Sequence, residues 1–327
     1  MNIIKDSLDL IGNTPLLLVK NLDTGPCNLY LKLESFNLGG SIKDRPAKNM
    51  IIEAEKKGLL KKGGTIVEAT AGNTGIALAI MAVKRGYKVV IIVPDKMTIE
   101  KVYHLKALGA EVIVARSDVV NGHPEYYLEI AKRIAKERKA FYINQFSNQA
   151  NIKSHIKDLG PEIYKQLNGK IHAFVAGVGT GGTISGIGKF LKSKNKKCEL
   201  VLADPKGSIL KDLIKTGKIN KNVGSWIVEG IGEDFCPPLL DTSLIDHAYS
   251  ISDFEAIDSC RKLLQNEGIL AGSSSGTLLA TALKFCKSQK VKKNVVTFPL
   301  LSDLIVRLNF SESEKYASKL ASAILFF

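Results

Sequence analysis

The chain predicts an α/β fold with mostly parallel strands, and three observations carry that reading. Short runs rich in β-branched residues alternate with amphipathic segments of about ten to fifteen residues, the pattern of buried parallel strands joined by crossover helices. Turns built from Gly, Thr, Asn and Ser stand where several of those runs end and a helical pattern begins. No period of ~20–50 residues repeats, which sets a solenoid aside. With 327 residues, the chain has room for two domains of ordinary size or one large α/β unit.

In chain order, Ile11-Gly12-Asn13-Thr14-Pro15-Leu16 is a turn signal ahead of an apolar run, and Asn28 to Glu34 alternates as a strand does. Apolar β-branched runs predict strands at Thr65–Ala69, Lys88–Val93, Glu111–Ala115, Ala140–Gln145, His172–Ala176, Glu199–Ala203 and Asn294–Phe298. Helical periodicity predicts Ala47–Lys57, Thr74–Arg85, Thr98–Leu108, Pro124–Lys139, Pro161–Leu167, Gly182–Ser193, Asp253–Asn266 and Ser275–Lys287. No Pro- or Ser-rich linker divides the chain. A boundary is expected near residues 146–155, where polar residues separate two strand–helix sets.

Composition excludes several classes. Hydrophobic residues are 45% and charged residues 24%, ordinary values for a soluble protein. No apolar run reaches the ~20 residues that span a bilayer, and Met1 to Asp6 carries no signal-peptide pattern. A cytoplasmic protein without a membrane partner is expected. Cys27, Cys198, Cys236, Cys260 and Cys286 are scattered and odd in number, which argues against a disulfide framework and a zinc site. No metal is implied. The net charge of +14 reads as a lysine-rich solvated surface rather than a nucleic-acid site, because no aromatic-basic stripe accompanies it.

Five stretches carry chemistry. Lys43 stands between Gly39-Gly40-Ser41 and Asp44-Arg45, with a helical pattern following at once. The glycines permit close ligand approach, Ser41 suits an N-cap, and Pro46 suits a first helical turn. A lysine so placed keeps its amine partly neutral through desolvation and the like charge of Arg45, as Schiff-base chemistry requires. Glu68-Ala69-Thr70-Ala71-Gly72-Asn73-Thr74-Gly75 ends a strand and opens a helix, a disposition that aims backbone N–H groups at an anion. Gln145 ends another strand. Gly177-Val178-Gly179-Thr180-Gly181-Gly182-Thr183 forms a nest for a phosphate. Its glycines also satisfy G-x-G-x-x-G, with Asp204 ~20 residues on, so a dinucleotide site is a rival reading. Ala271-Gly272-Ser273-Ser274-Ser275-Gly276 opens the last long helix, where a serine N-cap would suffice to explain it.

Asn37-Leu38-Gly39-Gly40-Ser41-Ile42-Lys43-Asp44-Arg45 resembles the cofactor-lysine motif of the pyridoxal-phosphate β-replacement enzymes, the cysteine synthase and cystathionine β-synthase family. The family usually has Pro at Leu38 and often Val at Ile42. The resemblance implies that Lys43 carries pyridoxal 5′-phosphate as an aldimine. Residues 68–75 are similar to the family's Thr-Ser-Gly-Asn-Thr-Gly loop. That implies Thr70, Gly72, Asn73 and Thr74 for the substrate carboxylate, with Asn73 also reaching the cofactor 3′-oxygen. Ala71 stands where the family has Ser, and Ala69 where it has Pro. Gln145 matches the second carboxylate-binding residue. Gly177, Gly179, Thr180, Gly181, Gly182 and Thr183 match the phosphate cup, Ser274 the hydroxyl on the pyridine nitrogen, and Gly230 a backbone position near the substrate amine. The stretches from Asp204 and from Val228 resemble cystathionine β-synthases slightly more than cysteine synthases.

The implied fold is that of the tryptophan synthase β-subunit, two three-layer domains with the active site in the cleft between them. Residues 46–150 would form the smaller domain carrying the carboxylate loop. Residues 1–45 and 151–327 would form the larger, phosphate-binding one. The likeness fails after Phe298, and the tail 299–327 has no counterpart to the family's Ser turn and Tyr-bearing helix. The implied reaction is β-replacement on serine or O-acetylserine through an aminoacrylate. Homocysteine as acceptor gives cystathionine and sulfide gives cysteine. A homodimer acting on small amino-acid substrates is implied, with no nucleic-acid or membrane partner. A nicotinamide-dependent oxidoreductase using the Gly177 loop, and a catalytically silent relative acting as a binding partner, are the alternatives.

Overall fold

In a computed structural model, residues 3–299 are described, apart from 71, 96, 120, 121 and 220–222. Two sheets organise them. Strands β1 (Leu16–Leu18), β2 (Asn28–Lys32), β7 (Ala173–Ala176), β8 (Glu199–Pro205), β9 (His247–Ile251) and β10 (Asn294–Thr297) form a six-stranded sheet in the order β1-β2-β10-β7-β8-β9. Only β1 runs antiparallel to its neighbour. Strands β3 (Thr65–Ala69), β4 (Lys88–Pro94), β5 (Glu111–Ala115) and β6 (Phe141–Tyr142) form an all-parallel four-stranded sheet in the order β5-β4-β3-β6.

The period-two alternation of the strands explains why both faces of the smaller sheet are covered. Ile66, Val89, Ile91 and Val93 point into one cluster with Met50 of α1 (Asp44–Lys56) and Leu78 and Met81 of α2 (Asn73–Arg85). Val67, Ala69, Val90 and Ile92 point the other way, onto Ala131 and Ile134 of α4 (Tyr127–Glu137). Helix α3 (Ile99–Ala107) follows β4. The largest cluster lies around the six-stranded sheet and includes Leu29, Leu31, Phe174, Leu200, Phe285 and Val296. Parallel pairing of β2 with β10 brings residues 28–31 against 294–297, so the first part of the chain joins the last.

Helices α5 (Gln149–Ser154), a π-turn at His155–Leu159 and α6 (Gly160–Gln166) run on without a break. They precede α7 (Gly182–Lys194), α8 (Leu210–Thr216), α9 (Asp253–Glu267) and α10 (Ser273–Lys287). Ser252 and Glu255 close a capping box at the start of α9, satisfying two orphan donors. Helix α10 presses against α9 at Gly276, where an added Cβ would stand 1.9 Å from the Ala256 carbonyl oxygen.

Several expectations are corrected. The strand expected at Ala140–Gln145 shrinks to two residues, because Asn144 adopts φ +52° and turns the chain out of the ladder. Strand β9 was not anticipated: it is an edge strand, buried fully only at Ile251, so no clean apolar run marks it. Helix α8 was also unread, being seven residues long. Ser41 does not cap α1. Its Oγ accepts from the Lys43 N–H at 3.2 Å, and Lys43 itself is the N-cap residue. Ala71 and residues 300–327 lie outside the described residues.

Candidate active site

A cavity of 670 Å³ lies where the C-terminal ends of strands from both sheets meet helix N-termini. It gathers Lys43 at the start of α1, and Thr70, Gly72, Asn73 and Thr74 between β3 and α2. Gln145 beyond β6, Gly179 and Thr180 between β7 and α7, Gly230, and Ser274 in the first turn of α10 complete the set. Ten of the positions named from the sequence thus share one wall. The remaining four do not line it. An added Cβ on Gly177 would stand 2.8 Å from the Ile231 side chain, one on Gly182 2.3 Å from Asn151 Oδ1, and one on Gly181 (φ +80°) 2.7 Å from the Leu240 nitrogen. Thr183 Oγ1 is 3.2 Å from His155 Nε2. These residues pack behind the nest and let neighbouring chain approach it.

The Lys43 amine is set apart from an ordinary surface lysine. Burial pulls its ammonium below the usual lysine range, and the Glu233 carboxylate partly opposes that shift. Arg45 is not a cause, which corrects the like-charge expectation. Its guanidinium is turned away and clamped, with Nε 2.7 Å and Nη2 2.8 Å from the two Glu34 oxygens. Its Nη1 lies 2.8 Å from both Asp158 Oδ2 and Glu162 Oε2. Arg45 and Glu34 are wholly buried, and Lys32 adds a further pair with Glu162. This network anchors the turn from behind. In front, Asp44 Oδ2 accepts from the Gly39 N–H, and a Cβ on Gly39 would stand 2.6 Å from Asp44 Oδ1. Burial pushes the Asp44 carboxyl up to about 6.

The turn between β3 and α2 is tied to Gln145. Thr74 Oγ1 donates to Gln145 Oε1 at 2.8 Å, and Gln145 Nε2 donates to the Ala69 carbonyl at 3.2 Å. Beneath them Glu68 is fully buried, accepting from the Ala69 and Gln145 N–H groups, and burial pushes its carboxyl up to about 8. Asn151, which sequence reasoning did not single out, joins two motifs. Its Nδ2 donates to the Gln145 carbonyl at 2.9 Å and to Thr180 Oγ1 at 3.1 Å. The signal for it was only its place in a polar stretch. Lys101, Tyr126, Tyr127, Glu229 and Glu233 also line the cavity and were missed, since each is an ordinary residue in its local sequence. Trp226 lines the cavity as well, its ring 3.0 Å from a Cβ built on Gly232.

Buried beside this wall, His155 is held neutral, its pKa pulled down to about 3 by burial and by the Lys43 and Arg45 charges. Asp204, the acid of the rival dinucleotide reading, is buried and does not line the cavity. Its Oδ2 accepts from the Lys211 N–H at 2.8 Å in the first turn of α8.

Residues 8–300 match the family described as pyridoxal-phosphate dependent enzyme. The chain belongs to that family. Among its relatives are the cystathionine beta-synthase of Apis mellifera, 43% identical over 298 residues, and the O-acetylserine dependent cystathionine beta-synthase of Bacillus subtilis, 41% identical over 306 residues. The alignments cover 90% of this chain and 58% of the Apis protein, and 93% of this chain and 96% of the Bacillus protein. The chain therefore spans little more than half the length of several relatives, the Apis protein among them. The Buchnera aphidicola cysteine synthase is 42% identical, over 90% of this chain and 91% of that one. Among solved structures, a hydrogen sulfide-producing enzyme of Fusobacterium nucleatum superposes with a TM-score of 0.84 at 37% identity, covering 92% of this chain and 98% of that one. The O-acetylserine dependent cystathionine beta-synthase of Helicobacter pylori superposes at 0.83 and 36%, covering 93% and 97%.

Pyridoxal phosphate is the cofactor of this pyridoxal-phosphate enzyme, and its residues fit the group. A desolvated amine, a nest of N–H groups opening a helix, and a buried serine hydroxyl face one cavity. The parallel α/β architecture anticipated from the sequence is shared with the solved relatives. Among the described residues no helix is long and apolar enough to cross a membrane.

Proposed function

We propose that this enzyme replaces the β-substituent of serine or O-acetylserine with a thiol, giving cystathionine from homocysteine or cysteine from sulfide. The observation that carries the reading is that Lys43 shares one cavity with the Thr70–Thr74 loop and Gln145, so an amino acid's carboxylate and its α-carbon proton can be served together. The cofactor supplies the electron sink that acidifies that proton and labilises the β-substituent. Lys43 attaches it and then takes the α-proton at Nζ. Thr70, Gly72, Asn73 and Thr74, with Gln145, hold the substrate carboxylate, Asn73 also meets the cofactor oxygen, and Gly230 borders the substrate amine. Gly179 and Thr180 present the phosphate nest to the cavity, with Gly177, Gly181, Gly182 and Thr183 packed behind it in the same turn. Ser274 meets the ring nitrogen with a neutral hydroxyl, a partner suited to elimination and replacement rather than transamination.

The same reading divides the chain into 46–150 and 1–45 plus 151–327, with the separate four- and six-stranded sheets as its support. It also carries a homodimer located in the cytoplasm. The test is spectral and chemical. Purified protein should absorb near ~410 nm, shift on addition of O-acetylserine, and release product on addition of a thiol. Lys43→Ala that kept both band and turnover would overturn the assignment.

A further inference from the structure

A second cavity, of 510 Å³, opens at the C-terminal ends of β8 and β9, apart from the one that holds Lys43. Its lining carries both signs: Lys206 and Lys211, Asp212 and Glu255, together with the hydroxyls of Ser250 and Ser252. Glu255 is bonded to Ser252 and to Lys284, and Lys211 Nζ lies 3.8 Å from Asp212 Oδ1. Lys206 is exposed and forms no ion pair among the described residues. Asp204, 1% exposed, lies behind this lining. It stands in register with Ser250, so the two side chains leave the sheet on the same face. Its Oδ2 accepts from the Lys211 N–H, and its Oδ1 has no hydrogen-bond partner among the described residues. A buried carboxylate oxygen without a donor marks a place where one is missing.

Residues 206–208 form a wall common to both cavities. On its far side, every residue from 223 to 234 lines the first cavity. The Gly207 carbonyl accepts from the Gly224 N–H at 2.9 Å, and Ser208 Oγ accepts from the main-chain N–H of Glu233 and donates to its carbonyl, each at 3.1 Å. At φ +112°, Gly207 packs so closely that an added Cβ would stand 3.1 Å from the Ser225 carbonyl oxygen. We propose that the second cavity is a regulatory site for a free α-amino acid, whose carboxylate meets Lys206 and whose ammonium group lies over Asp204, and that its occupancy reaches the active site through Gly207 and Ser208. A lining of both signs suits a zwitterion. A bare anion would meet Asp212 and Glu255, and a bare cation would meet the two lysines. A ligand that touches Lys206 and Ser208 favours one placement of residues 206–208, and their main-chain bonds carry that preference to residues 224–233. Binding here is independent of the β-replacement reading and adds a control to that reaction.

The experiment titrates the holoenzyme with L-methionine and with L-homoserine, which lack a β leaving group and so are not consumed. Calorimetry counts the molecules bound per chain, and the ~410 nm band reports the one that reaches the cofactor. With at least one probe, wild type should bind two molecules per chain, one of them without a colour change. Lys206→Met should weaken the colour-silent site by about tenfold or more, the size expected of one charged hydrogen bond, and leave the other unchanged. Lys206→Arg should retain both. Filling the silent site should move the O-acetylserine concentration for half the colour change by about fivefold or more in wild type relative to Lys206→Met. One molecule per chain with both probes overturns the site. Two molecules bound equally well by wild type and Lys206→Met overturn its placement, and an unmoved O-acetylserine curve overturns the coupling. Each of these leaves the β-replacement reading standing. A silent site with the expected dependence on Lys206, in a protein that gives no product with any thiol, upholds this inference and overturns that reading.

Discussion

Lys101 of α3 is ion-paired with Glu229, a residue 128 positions later on the loop that leads to Gly230, so the pair spans the cavity from one sheet's side to the other's. The two partners are unequally sheltered, the Lys101 side chain being 5% exposed and that of Glu229 32%. Removing the sheltered partner leaves a carboxylate that water can reach. Removing the other leaves a buried ammonium without compensation. Glu229→Gln should therefore destabilise the protein more than Lys101→Met, by roughly 1–3 kcal/mol. Chemical denaturation of both variants checks the order.

Arg45 and Glu34 predict a larger loss. Both side chains are fully buried and bonded through two N–H···O contacts. Arg45→Met strands the Glu34 charge and frees the back of the Lys43 turn. A stability loss of about 3–5 kcal/mol is expected, together with weaker retention of pyridoxal phosphate, read from the ~410 nm band during dialysis.

Glu68 predicts a pH dependence. Burial raises its carboxyl from an ordinary 4.5 to about 8. Between those values the unfolded chain has lost the proton and the folded chain keeps it, so this group's contribution to stability falls as pH rises through that window. Glu68→Gln cannot titrate. The melting temperature of wild type minus that of Glu68→Gln should decline between pH 5 and pH 8, measured by thermal denaturation in matched buffers.

Gly276 and Gly40 separate close contact from backbone freedom. A Cβ at Gly276 would stand 1.9 Å from Ala256 O and 2.5 Å from Cys260 Sγ, so Gly276→Ala must push α10 off α9. A loss of about 3 kcal/mol or more is expected. Gly40 has φ +75° and nothing within 4 Å of its added Cβ, so Gly40→Ala should cost only the left-handed strain of about 1 kcal/mol. Urea unfolding of the two variants side by side tests the difference.

Much of the site was legible because its chemistry is local. A lysine after Gly-Gly-Ser, a small-residue loop before an apolar helix, and a glycine nest after a buried strand each announce themselves within ten residues. Strands β3, β4 and β8 were legible for a similar reason, since burial on both faces leaves a largely apolar run, and the edge strand β5 was legible from its β-branched Val112-Ile113-Val114. Strand β9 was not, because His247-Ala248-Tyr249-Ser250-Ile251 mixes polar and apolar residues. Asn151 could not be found, since its two partners come from segments on either side of it that only the fold brings together.

By itself the sequence determined the α/β class and the residue types at each turn, and it singled out Lys43 as the lysine proposed to meet the cofactor. These follow from backbone propensity and side-chain chemistry within a few residues of each other. Tertiary structure alone decided that Arg45 faces Glu34 rather than Lys43, that Lys101 meets Glu229, and that Glu233 lines the same cavity as Lys43. Charges act through distance and desolvation, and both quantities exist only once remote segments have packed against one another.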